Sequence, residues 1–181
     1  SSVGVRGSRL QGNDKVVSMS IIRHFEADPA ERAAYLKMRR AMAGLTDDAE
    51  NEDEEAAPGQ ISQERYAEMS AAENLILTIT AKGSGKLSSS LDYPVRGRGG
   101  MGVAAMDKAM RGGPLVSSFP VDLSDQIMLV TSTGQSIRVP IEGISFRSRG
   151  AGGVKVFDTG KGETVVSVAW IADQGEDEGE A

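Results

Sequence analysis

Short apolar runs broken by glycine turns occupy two parts of this chain, and a helical spacing of apolar residues occupies the stretch between them. Ile127 to Ser132 is a compact apolar run, and Gly134-Gln135 turns the chain. Ser136-Ile137-Arg138-Val139 then alternates polar and apolar, as does Val154-Lys155-Val156-Phe157. Gly160 to Gly162 turns it again before Thr164 to Trp170. Alternation with a period of two is the mark of a half-buried strand, because successive side chains point to opposite faces. Four such runs joined by tight turns predict one antiparallel blade of four strands. The all-β expectation covers 1–22 and 74–172, with Phe157 and Trp170 as blade core.

The pattern repeats. Arg96-Gly97-Arg98-Gly99-Gly100-Met101-Gly102-Val103 aligns with Arg147-Ser148-Arg149-Gly150-Ala151-Gly152-Gly153-Val154 at a constant shift of 51 residues. Ile76 to Thr80 answers to Met128 to Ser132, and Leu115 to Ser118 answers to Val165 to Val168. A partial third copy, Gly4-Val5-Arg6-Gly7 followed by Lys15 to Met19, opens the chain. A fixed period near 50 residues marks one supersecondary unit stacked on its own copies.

Residues 23–73 do not fit that period and read as a helical hairpin inserted between Ile21-Ile22 and Leu75-Ile76. Asp28-Pro29-Ala30-Glu31 supplies an N-cap, a proline at the first helical position and an acid at the third. Leu36, Met38, Ala41, Met42 and Leu45 offer its apolar positions, and Gly44 a stop. Ser62 caps a second helix, with Ile61 and Tyr66 spaced as a hydrophobic staple. Glu50 to Glu55 has too little apolar content to fold and is expected to be an acidic linker.

Charge is segregated on this framework. The chain carries a net −6, but residues 47–73 hold 10 acids and one base, and 173–181 hold 5 acids and no base. The repeats in 1–22 and 74–172 hold 14 Lys or Arg against 8 Asp or Glu. A basic β-surface beside separable acidic segments suits a polyanion partner. Glycine lets the main chain approach a phosphate, and arginine supplies a forked, permanently charged donor. Arg-Gly is equally the composition of a solvated turn, and an acidic protein partner would also meet a basic rim.

Other chemistry finds little support. There are no cysteines, hence no disulfide, thiolate nucleophile or zinc-thiolate site. His24 is the single histidine and reads as solvated at a helix entrance. Residues 97–102 satisfy G-x-G-x-x-G, but a dinucleotide site needs a buried strand before it and a helix after it. The repeat partner of Val103 to Asp107 alternates like a strand instead. No metal site and no catalytic residues are expected. No 18-residue apolar run or signal peptide is visible, which suits a cytoplasmic protein.

Four stretches carry a resemblance to the C-terminal domain of the DNA gyrase A subunit: Gly4 to Ser18; Tyr93-Pro94 with the Arg-Gly cluster after it; Asp125 to Thr131; and Ile137 to Val154. The resemblance implies a β-pinwheel of six propeller-like blades that wraps double-stranded DNA around its rim, of which about two and a half are present, so the chain looks like a fragment. It divides as a partial blade at 1–22, a helical acidic insertion at 23–73, a blade at 74–121, a last blade at 122–172 and an acidic tail at 173–181. The family's Gln-Arg-Arg-Gly-Gly-Lys-Gly box is absent, and Arg96 to Gly102 is its degenerate counterpart. The topoisomerase IV A subunit shares the blade motif. The resemblance implies partnership with the rest of gyrase A and with gyrase B in a bacterial cytoplasm, with ATP and Mg used elsewhere in the enzyme. The expected DNA-binding residues are Arg96, Arg98, Arg147 and Arg149, then Lys82, Lys86, Arg138 and Lys155, with Arg6 in the partial copy.

Overall fold

The computed structural model describes residues 2–45, 59–107 and 112–172. Among the described residues seven strands form two antiparallel sheets. The first has the order β3-β1-β2-β6, from β1 (Leu75–Thr80), β2 (Ser84–Ser89), β3 (Leu115–Val121) and β6 (Val154–Lys155). The second has the order β5-β4-β7, from β4 (Gln126–Thr131), β5 (Ser136–Pro140) and β7 (Val165–Ile171). The mostly-β, propeller-like expectation with two helices is met.

The alternating runs explain the core. Ile127 pairs with Val139 and Trp170, and Leu129 with Ile137 and Val168, so these residues share one face of the second sheet. Ile127 and Leu129 join Leu77, Ile79, Leu87, Val121, Ile141, Ile144 and Val165 in one buried cluster that spans both sheets. Phe157 packs against this cluster, partly buried. Trp170 does not go inside. It is 55% exposed on an edge strand, and its Nε1 donates to Asp125 Oδ2 at 2.8 Å.

Two departures from the repeat pattern matter for the site. Residues 154–155 do not complete their own sheet. They cross to the first, where Val154 pairs with Gly85 and Lys155 with Ser84. The crossing is possible because two glycines meet there: a Cβ on Gly153 would stand 3.0 Å from the main-chain N and O of Gly85. A last blade of four strands from 122–172 alone is therefore replaced by a three-stranded sheet that lends its fourth run to its neighbour. Residues 2–22 form no strand. Val3, Val5, Val16, Val17, Met19 and Ile21 are all exposed, because a strand-like sequence makes a ladder only where a neighbouring strand offers its donors and acceptors.

The insertion is the expected helical hairpin. Helix α1 (Pro29–Met42) begins with a capping box in which Asp28 accepts from Glu31 N and Glu31 accepts from Asp28 N. Gly44, with φ +72°, follows its C-cap. Helix α2 (Gln63–Ala72) is capped by Ser62, and Ile61 and Tyr66 both pack on the hairpin's small core of Tyr35, Leu36 and Met69. The buried face of α1 is Ala33 to Leu36; of the expected apolar positions only Leu36 is buried, and Met42 is 73% exposed. The reason is that α2 and Leu91 of the first blade meet the N-terminal half of α1. Arg65 holds the two helices together: its Nε donates to Glu31 at 2.9 Å, its Nη1 to Glu68 at 3.0 Å and its Nη2 to Glu26 O at 2.8 Å. The acidic run Glu50 to Glu55 and the tail at 173–181 lie outside the described residues.

Candidate nucleic-acid interface

The two Arg-Gly turns, near copies in sequence, have different surroundings. The first is on the surface, with Arg96 and Arg98 exposed. It leans on the N-terminal segment through the main chain: Gly99 N donates to Gly7 O at 2.9 Å, and Arg9 N donates to Gly100 O at 2.8 Å. Ser8 Oγ adds a bond to Gly100 O at 3.3 Å, and Gln11 Nε2 one to Met101 Sδ at 2.9 Å. Gly99 takes φ +74°, a backbone conformation that costs glycine little and a side-chain-bearing residue more. A Cβ there would lie 3.8 Å from Arg6 O. Arg6, Arg9, Arg96 and Arg98 are thus gathered on one exposed stretch by main-chain bonds between its two segments. Arg9 was not singled out by sequence. Its only signal was the short Arg6-Gly7-Ser8-Arg9 spacing, which echoes the Arg-Gly clusters.

The second turn is built into the blade. Arg147 N donates to Leu87 O at 2.8 Å, which fixes the turn along β2 and leaves the Arg147 side chain half-buried. Arg149 is only 3% exposed. Its main-chain N donates to Asp92 Oδ2 at 2.7 Å, its Nε to Asp92 O at 2.9 Å and its Nη1 to Ala104 O at 2.5 Å. Lys86 is completely buried. Its Nζ donates to the carbonyls of Ser148 at 2.6 Å and Ala151 at 2.7 Å, and to that of Arg149. An ammonium needs three acceptors, and the bend of the turn supplies three inward-pointing carbonyls. Lys86 and Arg149 are therefore corrected from surface cations to internal struts. Burial without partners would be prohibitively costly for either, and each has found them.

The remaining candidates are on the surface but scattered. Lys82 is exposed in the β1–β2 turn. Lys155 is exposed on β6, and its Nζ stands 3.0 Å from Asp158 Oδ1 in an ion pair that is solvated on both sides. Arg138 is exposed on β5 beside Met128, on the face opposite Ile127 and Leu129.

The insertion docks beside the second turn. Arg39 lies 4.5 Å over the Phe146 ring and pairs with Glu73 at 3.2 Å. Arg40 Nη1 reaches Ser148 Oγ at 3.5 Å. No dinucleotide-binding frame surrounds residues 97–102, since neither helix nor strand occupies 101–107. His24 is exposed. Among the described residues no group of three or more His, Asp or Glu is placed to hold a metal ion, and no helix is long and apolar enough to cross a membrane.

The sequence model of the family described as "DNA gyrase C-terminal domain, beta-propeller" matches residues 1–23, 74–121 and 125–169, passing over the helical hairpin. The DNA gyrase A subunit of Granulibacter bethesdensis is 44% identical over 179 residues, covering 92% of this chain and 19% of that protein. The DNA gyrase A subunit of Rickettsia bellii is 36% identical over 176 residues, covering 97% of this chain and 19% of that protein. The chain thus spans about a fifth of the length of these curated relatives. A solved structure of a DNA gyrase A C-terminal domain shares the fold, with a TM-score of 0.51 at 23% identity over 55% of this chain and 34% of that one. With blades, Arg-Gly turns and family match all falling on the same residues, the chain belongs to the DNA gyrase C-terminal domain family.

Proposed function

We propose that this chain binds and wraps double-stranded DNA without sequence preference, as the C-terminal domain of a DNA gyrase A subunit, and so supports ATP-dependent negative supercoiling by the whole enzyme. The observation that carries this reading is the exposed first Arg-Gly turn, with Arg6, Arg9, Arg96 and Arg98 brought to one surface by main-chain bonds. Arginines on a glycine-rich main chain suit phosphate oxygens, which position a duplex but carry no base information. Lys82, Arg138 and Lys155 are outlying contacts. That both relatives are gyrase A subunits favours gyrase over topoisomerase IV. The rest of gyrase A, gyrase B, ATP and Mg belong to the whole enzyme, in the cytoplasm, and strand breakage and ATP hydrolysis belong to its other parts.

The test is binding of this chain to random-sequence duplexes over a salt series. Log affinity should fall linearly with log salt, and replacing Arg9 and Arg98 by Ala should flatten that slope by about 0.9 per lost phosphate contact. The purified chain should neither relax supercoiled plasmid nor hydrolyse ATP. Salt-insensitive binding, or capture of an acidic protein in preference to DNA, would replace this reading with that of a protein-binding propeller.

A further inference from the structure

The two open sheets leave four edge strands, β3 and β6 in the first and β5 and β7 in the second. An edge strand with free main-chain groups is a template for pairing with another chain unless something blunts it. Three of the four are blunted. Strand β5 carries Arg138 and Pro140. Strand β3 carries Pro120, and Ser18 Oγ donates to Ser118 O at 2.9 Å. Strand β6 is two residues long and exposes Lys155. Strand β7 is the exception. Its register with β4 shifts between Val165 and Ser167, and beyond that shift Ser167-Val168-Ala169-Trp170-Ile171 pairs regularly, with neither a charge nor a proline. Among the described residues the main chain of 167–171 bonds only to β4. Ser167 and Ala169 are exposed, and Trp170 is 55% exposed. Asp125 already satisfies the indole N–H, so what Trp170 leaves in water is apolar ring. Leu123, in the turn that ends at Asp125, is exposed as well.

We propose that the 167–171 edge of β7 pairs antiparallel with the same edge of a second copy of this chain, about a two-fold axis at Ala169. In that register the edge is complementary to itself. Val168 and Trp170 share one face of the sheet, since they oppose Leu129 and Ile127, and the axis sets Val168 of each copy opposite Trp170 of the other. An aromatic residue across from a β-branched one is a favourable cross-strand pair. On the other face Ser167 meets Ile171 and Ala169 meets itself, so no like charges are opposed although each chain carries a net −6. The same neutral, apolar edge selects a second copy over the chain's own residues 173–181, whose five acids, two glycines and lack of β-branched or aromatic side chains make a poor strand. A two-fold contact of this kind uses the same patch on both copies and closes at a dimer. The dimer would present two copies of the surface that gathers Arg6, Arg9, Arg96 and Arg98.

The inference goes beyond the DNA-binding reading and does not depend on it, and salt separates the two. Duplex binding weakens as salt rises, whereas self-association strengthens, because screening relieves the repulsion between two chains of net −6. Sedimentation equilibrium of the full chain, over a concentration series at low and high salt and without DNA, measures it. Trp170 is the only tryptophan in the sequence, so its emission should shift to the blue as the dimer forms. Ala169→Lys and Ala169→Glu each set like charges face to face at the axis and should weaken association about fivefold. Their melting temperatures should match that of the parent at low concentration, because position 169 is exposed. An equimolar mixture of the two variants should associate more tightly than either alone, since opposite charges then meet. A chain that stays monomeric throughout the series would overturn the inference. So would a dimer that leaves the Trp170 emission unmoved, or one that both Ala169 variants form as well as the parent, since either result puts the contact on another surface. A monomer whose Trp170 emission moves to the red only when residues 173–181 are removed would assign the edge to that segment and overturn the inference equally.

Discussion

Asp92 accepts the main-chain N–H of Arg149 at 2.7 Å across 57 residues of sequence, while the Arg149 guanidinium, whose Nε lies 3.8 Å from Asp92 Oδ1, continues past it to the chain that follows the first Arg-Gly turn. One side chain thus links the second turn, the single-turn 3-10 helix Ser90–Asp92 and Ala104. Both residues are buried. Arg149→Ala should therefore cost stability, about 3–5 kcal/mol, because it takes the guanidinium away from a buried carboxylate. Arg149→Lys should not rescue it, since an ammonium cannot reproduce the bonds that Nε and Nη1 make to two separate carbonyls. Urea denaturation measures the loss. A variant of full stability with weakened DNA binding would return Arg149 to the surface.

Lys86→Met keeps the length of the side chain and removes its charge and donors. Three carbonyls of the second turn would lose their partner in a dry site. The expected loss is about 3 kcal/mol, the scale of leaving buried acceptors unsatisfied. A shifted urea midpoint at unchanged m-value would register this as lost stability rather than altered compactness. A neutral or stabilising outcome would show that the turn relaxes outward to water.

Strand β4 was legible as a short apolar run, and it packs with Ile127, Leu129 and Thr131 buried between half-buried neighbours. Strand β2 was not. Its sequence, Ser84-Gly85-Lys86-Leu87-Ser88-Ser89, is almost wholly polar, yet five of its six positions are buried. The run is tolerated inside because Lys86 is caged by carbonyls and Gly85 lets Gly153 approach closely, and neither arrangement has a local signature. The helix caps were legible because capping is local: Asp28, Glu31 and Ser62 act within three residues of themselves. The two Arg-Gly turns show the limit of repeat reasoning. The same residues at the same spacing place Arg98 in solvent and its repeat counterpart Arg149 in the interior, because only the second turn has Asp92 and Lys86 beside it. Trp170 failed in the other direction: composition marked it as core, but its strand is an edge and Asp125 satisfies its indole N–H there.

The acidic tail yields a prediction from sequence alone. Glu176, Asp177, Glu178 and Glu180 follow the end of β7 within a few residues. A chain of that length reaches about 3.3 Å per residue, enough to touch its own blade rim. Its charges would compete with phosphates for the same cations at high effective concentration. Removing residues 174–181 should tighten duplex binding, most at low ionic strength, where screening is weakest. Equal affinities at low salt would reduce the tail to a solubility appendage. A variant with Asp47 to Glu55 neutralised belongs in the same series, since that run could mask the effect.

Two carboxylates should make the fold acid-sensitive, and the sign follows from their partners. Glu163 accepts from the hydroxyls of Thr131 and Thr133 and from Gly160 N at 2.7 Å, bonds that hold its pKa below the ordinary value of 4.5. Glu31 is likewise lowered, first by its bond to Arg65 and then by Asp28 N. A pKa lower in the folded state than in the unfolded one means that the unfolded chain binds protons more readily. The stabilisation from each carboxylate is therefore fully present above the unfolded-state pKa, near 4.5, and is lost as pH falls through the folded value. Glu163→Gln should be less stable than the parent at neutral pH, because the amide replaces one acceptor oxygen with a donor in a ring of donors. The gap should narrow progressively below pH 4.5, as the parent takes up the proton that the variant never needed. Thermal melts of the two proteins from pH 7 to pH 3 test this. A gap that stays constant across that range would mean that the Glu163 charge contributes nothing and that its bonds to the turn act through shape alone.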